Sequence, residues 1–211
     1  MKRIILLAIV LLGYSVNAQQ EVKFGPKAGV NFSTISNVPN AKMLTGFYVG
    51  AVAEIKFDDK FSIQPELMYS SQGAKYDYSV ELVGISGTHF RDKLDYINIP
   101  ILAKYYIYKG FSVELGPQFG FLVNAESKGE ATVNGNTVKN NRDIKDEVNS
   151  FNFGIGAGLA FDLSNGFFIN ARYNFGITNV GKSNYNYHVQ RILILLVLYL
   201  DLIMVIKLIN G

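Results

Sequence analysis

The sequence predicts an all-β protein, an eight-stranded antiparallel up-and-down barrel that crosses a membrane with its strands. Apolar residues recur at every second position along segment after segment, tight turns alternate with long polar connections, and an export-type leader precedes the first strand. The composition is compatible with this and excludes much else. With 49% hydrophobic residues, 13% aromatic and a net charge of +3, the chain of 211 residues is neither disordered nor a binder held by nucleic-acid phosphates. Having no Cys and two His, it has no thiolate chemistry, no lipid-modified cysteine and little to hold a metal.

Residues 1 to 18 read as a signal peptide. Lys2 and Arg3 supply the positive region, Ile4 to Leu12 the apolar run, and Val16-Asn17-Ala18 a small-residue cleavage site before Gln19. Export by the Sec route follows, and the barrel is expected over residues 19 to 190.

Seven strands alternate visibly. Val22 to Phe32 sets Val22, Phe24, Pro26, Ala28, Val30 and Phe32 against Lys23, Gly25, Lys27, Gly29 and Asn31. Phe47 to Phe57 and Phe61 to Tyr69 do the same, with Glu54, Lys56 and Glu66 on their polar faces. Leu94 to Tyr108 is noisier and carries Lys104. Phe111 to Val123 carries Glu114, Phe151 to Leu163 carries Asp162, and Phe167 to Ile177 carries Arg172. Several of these approach the ~9 to 11 residues that a tilted strand needs to cross a bilayer. Asp58-Asp59-Lys60, Lys109-Gly110 and Ser164-Asn165-Gly166 make three tight connections, whereas 33 to 46, about 70 to 93, 124 to 150 and the stretch after 178 are long. Strict alternation of short and long links is the pattern of an outer-membrane barrel with a periplasmic N-terminus.

A soluble lipocalin-like barrel would share the period and reverse the faces. The polar set here is rich in Gly and Ser, which suits a cramped lumen better than a wet exterior, and the apolar set ends in aromatics such as Phe24, Phe47, Phe57, Phe121 and Phe161, as interfacial girdles require. The apolar face is therefore expected to meet outer-membrane lipid. The charges Lys23, Lys27, Glu54, Lys56, Glu66, Lys104, Glu114, Asp162 and Arg172 then point inward, where burial requires pairing. A barrel of eight strands is just wide enough for side chains to fill, so these nine are expected to plug it.

Catalytic chemistry is not found. Gly154-Ile155-Gly156-Ala157-Gly158 superficially resembles a dinucleotide loop, but Leu159 and the surrounding strand period break the fingerprint. His89 lies near Asp92 at no spacing that marks a nucleophile and base, and His188 is isolated in the sequence. No enzyme activity, cofactor or metal is expected, nor a nucleic-acid partner, and the barrel is expected to be a monomer. In loop 124 to 150, Asn134-Gly135 between β-prone runs predicts a hairpin above the membrane, a place for a protein or surface ligand to bind.

Four stretches carry a family resemblance: Gly25-Pro26-Lys27-Ala28-Gly29-Val30-Asn31, Gln64-Pro65-Glu66-Leu67-Met68-Tyr69, Tyr96 to Tyr105 with its Asn98-Ile99-Pro100, and Gly116-Pro117-Gln118-Phe119-Gly120-Phe121. In this order they resemble the PorT-like family of outer-membrane β-barrel proteins. The resemblance implies an eight-stranded barrel in a Gram-negative outer membrane. The family's namesake is linked to protein secretion, a role that no residue here carries over.

The C-terminal residues 191 to 211 depart from that pattern. A closing strand should alternate and end in an aromatic residue, yet 192 to 209 is almost continuously apolar, broken by Asp201. Three readings are open: a strand of unusual composition, a membrane helix interrupted at Asp201, and a reading-frame shift that replaced the true strand. Lys2, Arg3, Arg191 and Lys207 lie in the two terminal segments against the single acid Asp201, so the net +3 comes from the ends and the barrel itself is neutral. The function expected is a sealed outer-membrane barrel with long surface loops in a structural or interaction role. A small pore or secretion accessory, and a soluble ligand-binding barrel, are the alternatives.

Overall fold

The computed structural model describes residues 21–36, 38–82, 85–133, 136–163, 166–182 and 188–193. Its strands are β1 (Glu21–Ser36), β2 (Ala41–Lys56), β3 (Phe61–Leu82), β4 (Ile85–Tyr108), β5 (Phe111–Val133), β6 (Asn136–Asp143), β7 (Phe151–Asp162), β8 (Phe168–Asn179) and β9 (His188–Leu193), with one 3₁₀ turn, Lys145–Glu147. All pairings are antiparallel. They run β1–β2–β3–β4–β5–β7–β8–β9 and return from β9 to β1, a ring of eight, with β6 added as a hairpin partner on the outer part of β5. Among the described residues β1 meets β9 from Phe32↔Ile192 to Ser36↔His188, which joins the two ends of the sheet over that stretch.

The tight connections form as their residues dictate. The Asp58 carboxylate accepts hydrogen bonds from the backbone N–H groups of Lys60, at 2.7 Å, and Phe61, at 2.8 Å, closing the β2–β3 turn. Gly110 has φ of 77°, the conformation that the two-residue link from β4 to β5 needs and that a side chain would resist.

Alternation is cleanest in β8, where Phe168, Asn170, Arg172, Asn174 and Gly176 are buried and Ile169, Ala171, Tyr173, Phe175 and Ile177 are exposed. β7 follows suit, with Asn152, Gly154 and Gly156 inside and Phe151, Ile155 and Leu159 outside. The apolar face thus points away from the barrel interior. Small residues keep the inner wall close: a Cβ on Gly158 would lie 2.6 Å from the Ala171 carbonyl oxygen and 2.8 Å from Glu114 Oε1. Aromatic pairs lie on the outer face, Phe57 with Phe61 near the short turns and Phe121 with Phe151 toward the long links, at centroid separations of 5.8 and 5.6 Å. From Phe111 to Phe121 is ten residues, or about 25 Å along the axis of a barrel with tilted strands, the height of an outer-membrane apolar band.

Three of the expected links differ from the structure. Residues 70 to 93 are not a loop but the paired continuation of β3 and β4, from Ser70↔Tyr96 to Leu82↔Ile85. The link 33 to 46 shrinks to the residues between Ser36 and Ala41. The 124 to 150 stretch is the expected hairpin, but its first limb is simply β5 carried on to Val133. Strands of 22 to 24 residues are about twice what the bilayer needs, so the barrel wall stands well clear of the membrane on one side. The closing strand begins at His188, ahead of the anomalous segment. The expected leader 1 to 18 and residues 194 to 211 lie outside the described residues.

Candidate functional site: the filled lumen and the mouth above it

Of the nine charges expected inside, Lys27, Glu54, Glu66, Lys104, Glu114 and Arg172 are buried, Lys23 and Lys56 are half-buried, and the Asp162 carboxylate keeps 24% exposure near the short-turn end. They gather in two storeys, with Lys23 at the level of the lower one as the cross-strand partner of Glu54.

In the upper storey Glu66 is the hub. Its carboxylate accepts from Lys27 Nζ at 2.7 Å, Gln64 Nε2 at 2.7 Å and the Arg172 guanidinium at 2.7 and 3.1 Å. Arg172 also donates through Nε to Glu114 at 2.6 Å, and Asn170 donates to the same oxygen at 3.0 Å. Two cations face two carboxylates, and bidentate guanidinium geometry is the strongest form such pairs take. The strands concerned decide what the network does. Around the ring, β3 with Glu66 lies diametrically across from β8 with Arg172, and β1 with Lys27 lies across from β5 with Glu114. Side chains that meet across the full diameter must fill the bore. The void beside them, lined among others by Tyr48, Met68, Asn98 and Gln118, is about 20 Å³, room for about one water.

The lower storey bridges β2 and β7, again opposite strands. The Tyr106 hydroxyl lies between Glu54 and Asp162, 2.8 Å from the Asp162 carboxylate; its single proton serves one acid at a time. Lys104 Nζ lies 3.4 Å from Glu54 and 3.7 Å from Asp162, over the rings of Phe168 and Tyr106. Lys56 covers the other side of Tyr106 at 4.7 Å.

Beyond the polar lumen, toward the long links, the interior changes character. Ile35, Ala74, Tyr76, Leu94, Tyr96, Ala125, Val148 and Val180 form a buried apolar cluster. A cavity of about 700 Å³ opens beside it, walled by Val38, Phe90, Ile144 and other apolar groups and edged by Asp92, Glu147 and Lys182. Burial pushes the Asp92 carboxyl up from its ordinary value, against the pull of hydrogen bonds with Ser127 and Tyr76. Sequence reasoning missed this mouth. A bulge is the reason: Tyr96 pairs Leu122 but Asp95 pairs Asn124, so Val123 is an extra residue and β5 switches faces there. Before it Phe119 and Phe121 point out; after it Ala125 points in and Glu126, Lys128 and Glu130 point out.

His89 lies on the outer side of β4, opposite Asp77 and Glu130, and the Gly154–Gly158 run is mid-strand in β7. Among the described residues, no three His, Cys, Asp or Glu side chains come together as metal ligands would.

Comparison with known proteins adds a family. Residues 17–181 match the family described as outer membrane protein beta-barrel domain. Among solved structures, Ail, the attachment invasion locus protein of Yersinia pestis, is similar at 15% identity and a TM-score of 0.43, covering 86% of this chain and 97% of that one. Neisserial surface protein A is similar at 12% identity and a TM-score of 0.47, covering 80% and 92%. No curated protein matches.

Proposed function

The chain belongs to the outer membrane protein beta-barrel domain family, and from that premise we propose that it is a sealed barrel whose work is done at its outer end, as a structural or interaction protein of the cell surface. One observation carries the reading: the Glu66–Arg172 pair joins strands on opposite sides of the lumen, with Lys27 and Glu114 completing the cross. A conducting barrel of this width would need those groups apart or wet. The extended wall above the membrane, the β5–β6 hairpin and the apolar mouth then form the surface offered to a protein or small ligand. The protein is exported by its leader, works as a monomer without a cofactor, and is PorT-like in the four proline-containing motifs, which lie in β1, β3, β4 and β5 where the strands cross the bilayer.

Planar-bilayer recording tests this. The folded protein is expected to add no discrete conductance steps above background, and Arg172→Gln or Glu114→Gln to create them by loosening the cross. Steady ion-selective steps from the unaltered protein, changed in size by either substitution, would make it a small pore instead.

A further inference from the structure

The pairing register places four cations in one row across the outer wall. Lys42 of β2 is directly opposite Lys75 of β3, Lys75 opposite Arg91 of β4, and Arg91 opposite Lys128 of β5. Cross-strand partners share a face, and here it is the outward one: Lys42, Arg91 and Lys128 are exposed, Lys75 is half-buried, and its neighbours Ala74 and Tyr76 are buried inside. At a strand spacing of about 4.8 Å the row is about 15 Å long. Like charges directly opposite one another destabilise a sheet, and this row repeats that arrangement three times in succession with no acid in it.

Acids flank the row on both sides. On the membrane side the next row reads Gly73, Lys93, Glu126, Asp143, and on the far side Asp77, His89, Glu130, Lys139. Glu130 is engaged by Lys139 at 3.1 Å, and Glu126 reaches Lys128 at 3.3 Å, at the row's end. Lys75, Arg91 and Lys128 also line a recess of about 300 Å³ with His89, Phe90 and Glu130, so the wall is concave where the charge is concentrated.

Height selects the occupant. Lys75 lies six residues beyond Tyr69 and Lys128 seven beyond Phe121, about 15 Å above the outer aromatic ring. At that level an outward-facing side chain meets the headgroups of the surrounding leaflet. We propose that this row is a binding site for the phosphorylated, acidic sugar headgroup of an outer-leaflet glycolipid, whose anions bridge neighbouring strands and offset the repulsion between the cations. It rests on the barrel standing in an outer membrane and not on its lumen being sealed, so conductance would leave it untouched.

The test uses the full-length folded protein in neutral detergent micelles, titrated with a phosphorylated outer-membrane glycolipid, with the same glycolipid after phosphatase treatment, and with its water-soluble phosphorylated sugar part. Binding is expected for the intact glycolipid, falling on the order of 100-fold in a combined Lys75→Gln, Arg91→Gln, Lys128→Gln variant that still shows heat-modifiable migration. Phosphatase treatment is expected to weaken it comparably. In micelles without glycolipid, Arg91→Gln alone is expected to raise the melting temperature, and with glycolipid to lower it. Equal binding by the triple variant, or by the dephosphorylated lipid, would overturn the proposal. If the soluble sugar binds as tightly as the lipid, the row serves a free polyanion and the lipid assignment is wrong.

Discussion

Glu66→Ala is expected to cost about 3–5 kcal/mol, because it removes the acceptor for two buried cations at once. Arg172 would keep Glu114 at 2.6 Å, but Lys27, 2% exposed, would be left without its carboxylate. That loss is a large part of a typical folding free energy. Urea unfolding of the detergent-folded barrel, followed by the heat-modifiable band, measures it. Glu66→Gln keeps the shape and an acceptor oxygen, so it should fall between the two. Replacing Glu66 and Arg172 together by apolar residues leaves both Lys27 and Glu114 without their ion-pair partners and should cost at least as much as Glu66→Ala. Replacing Lys27, Glu66, Glu114 and Arg172 together by apolar residues of similar volume should cost far less, since no buried charge of the network then remains unpaired. If Glu66→Ala unfolds with the midpoint of an exposed hairpin substitution such as Val138→Ala, the lumen network does not hold the wall.

On the other face, Ile155→Arg should cost about 2–4 kcal/mol in a bilayer. Ile155 is 44% exposed and lies midway between Phe151 and Phe161, close to the middle of the apolar band. Phe161→Arg, near the interface, should cost only about 0–1 kcal/mol, and Val138→Arg, on the hairpin above the membrane, close to nothing. In a membrane barrel the cost falls with distance from the middle of the apolar band. In a water-soluble barrel Ile155 and Val138 would both face solvent, and each substitution would stay within about 0.5 kcal/mol. Refolding equilibria in lipid vesicles distinguish the two cases.

The membrane-spanning half was legible because one face meets lipid throughout and the other meets packed polar groups, so every second residue from Phe167 to Ile177 or from Phe151 to Leu163 had to be apolar. Above the membrane that contrast reverses sign. Lys75 points out where Leu67 and Tyr69 did, and Ala74 and Tyr76 point in where Gln64 and Glu66 did. The stretch Ala74-Lys75-Tyr76-Asp77-Tyr78 does alternate, and could have been read as strand. Its inward apolar face, however, is the opposite of what the spanning segments teach. In β5 the extra residue at Val123 moved the period by one and hid the continuation. Partnerships across the lumen were beyond any local pattern. Glu66 and Arg172 are 106 residues apart, and they meet only because the ring sets β3 opposite β8. That the inward charges would need partners followed from their burial; which would pair with which depended on the number of strands and on their order.

Single nitroxide labels along β8 at Ile169, Asn170, Ala171, Tyr173, Asn174 and Phe175, in the protein reconstituted into bilayers, show whether the apolar face of this barrel is its lipid face. Collision with lipid-soluble oxygen should be high at 169, 171, 173 and 175 and low at 170 and 174, with a period of two. Odd positions that collide instead with a water-soluble paramagnetic reagent, or a flat profile along the strand, would contradict it.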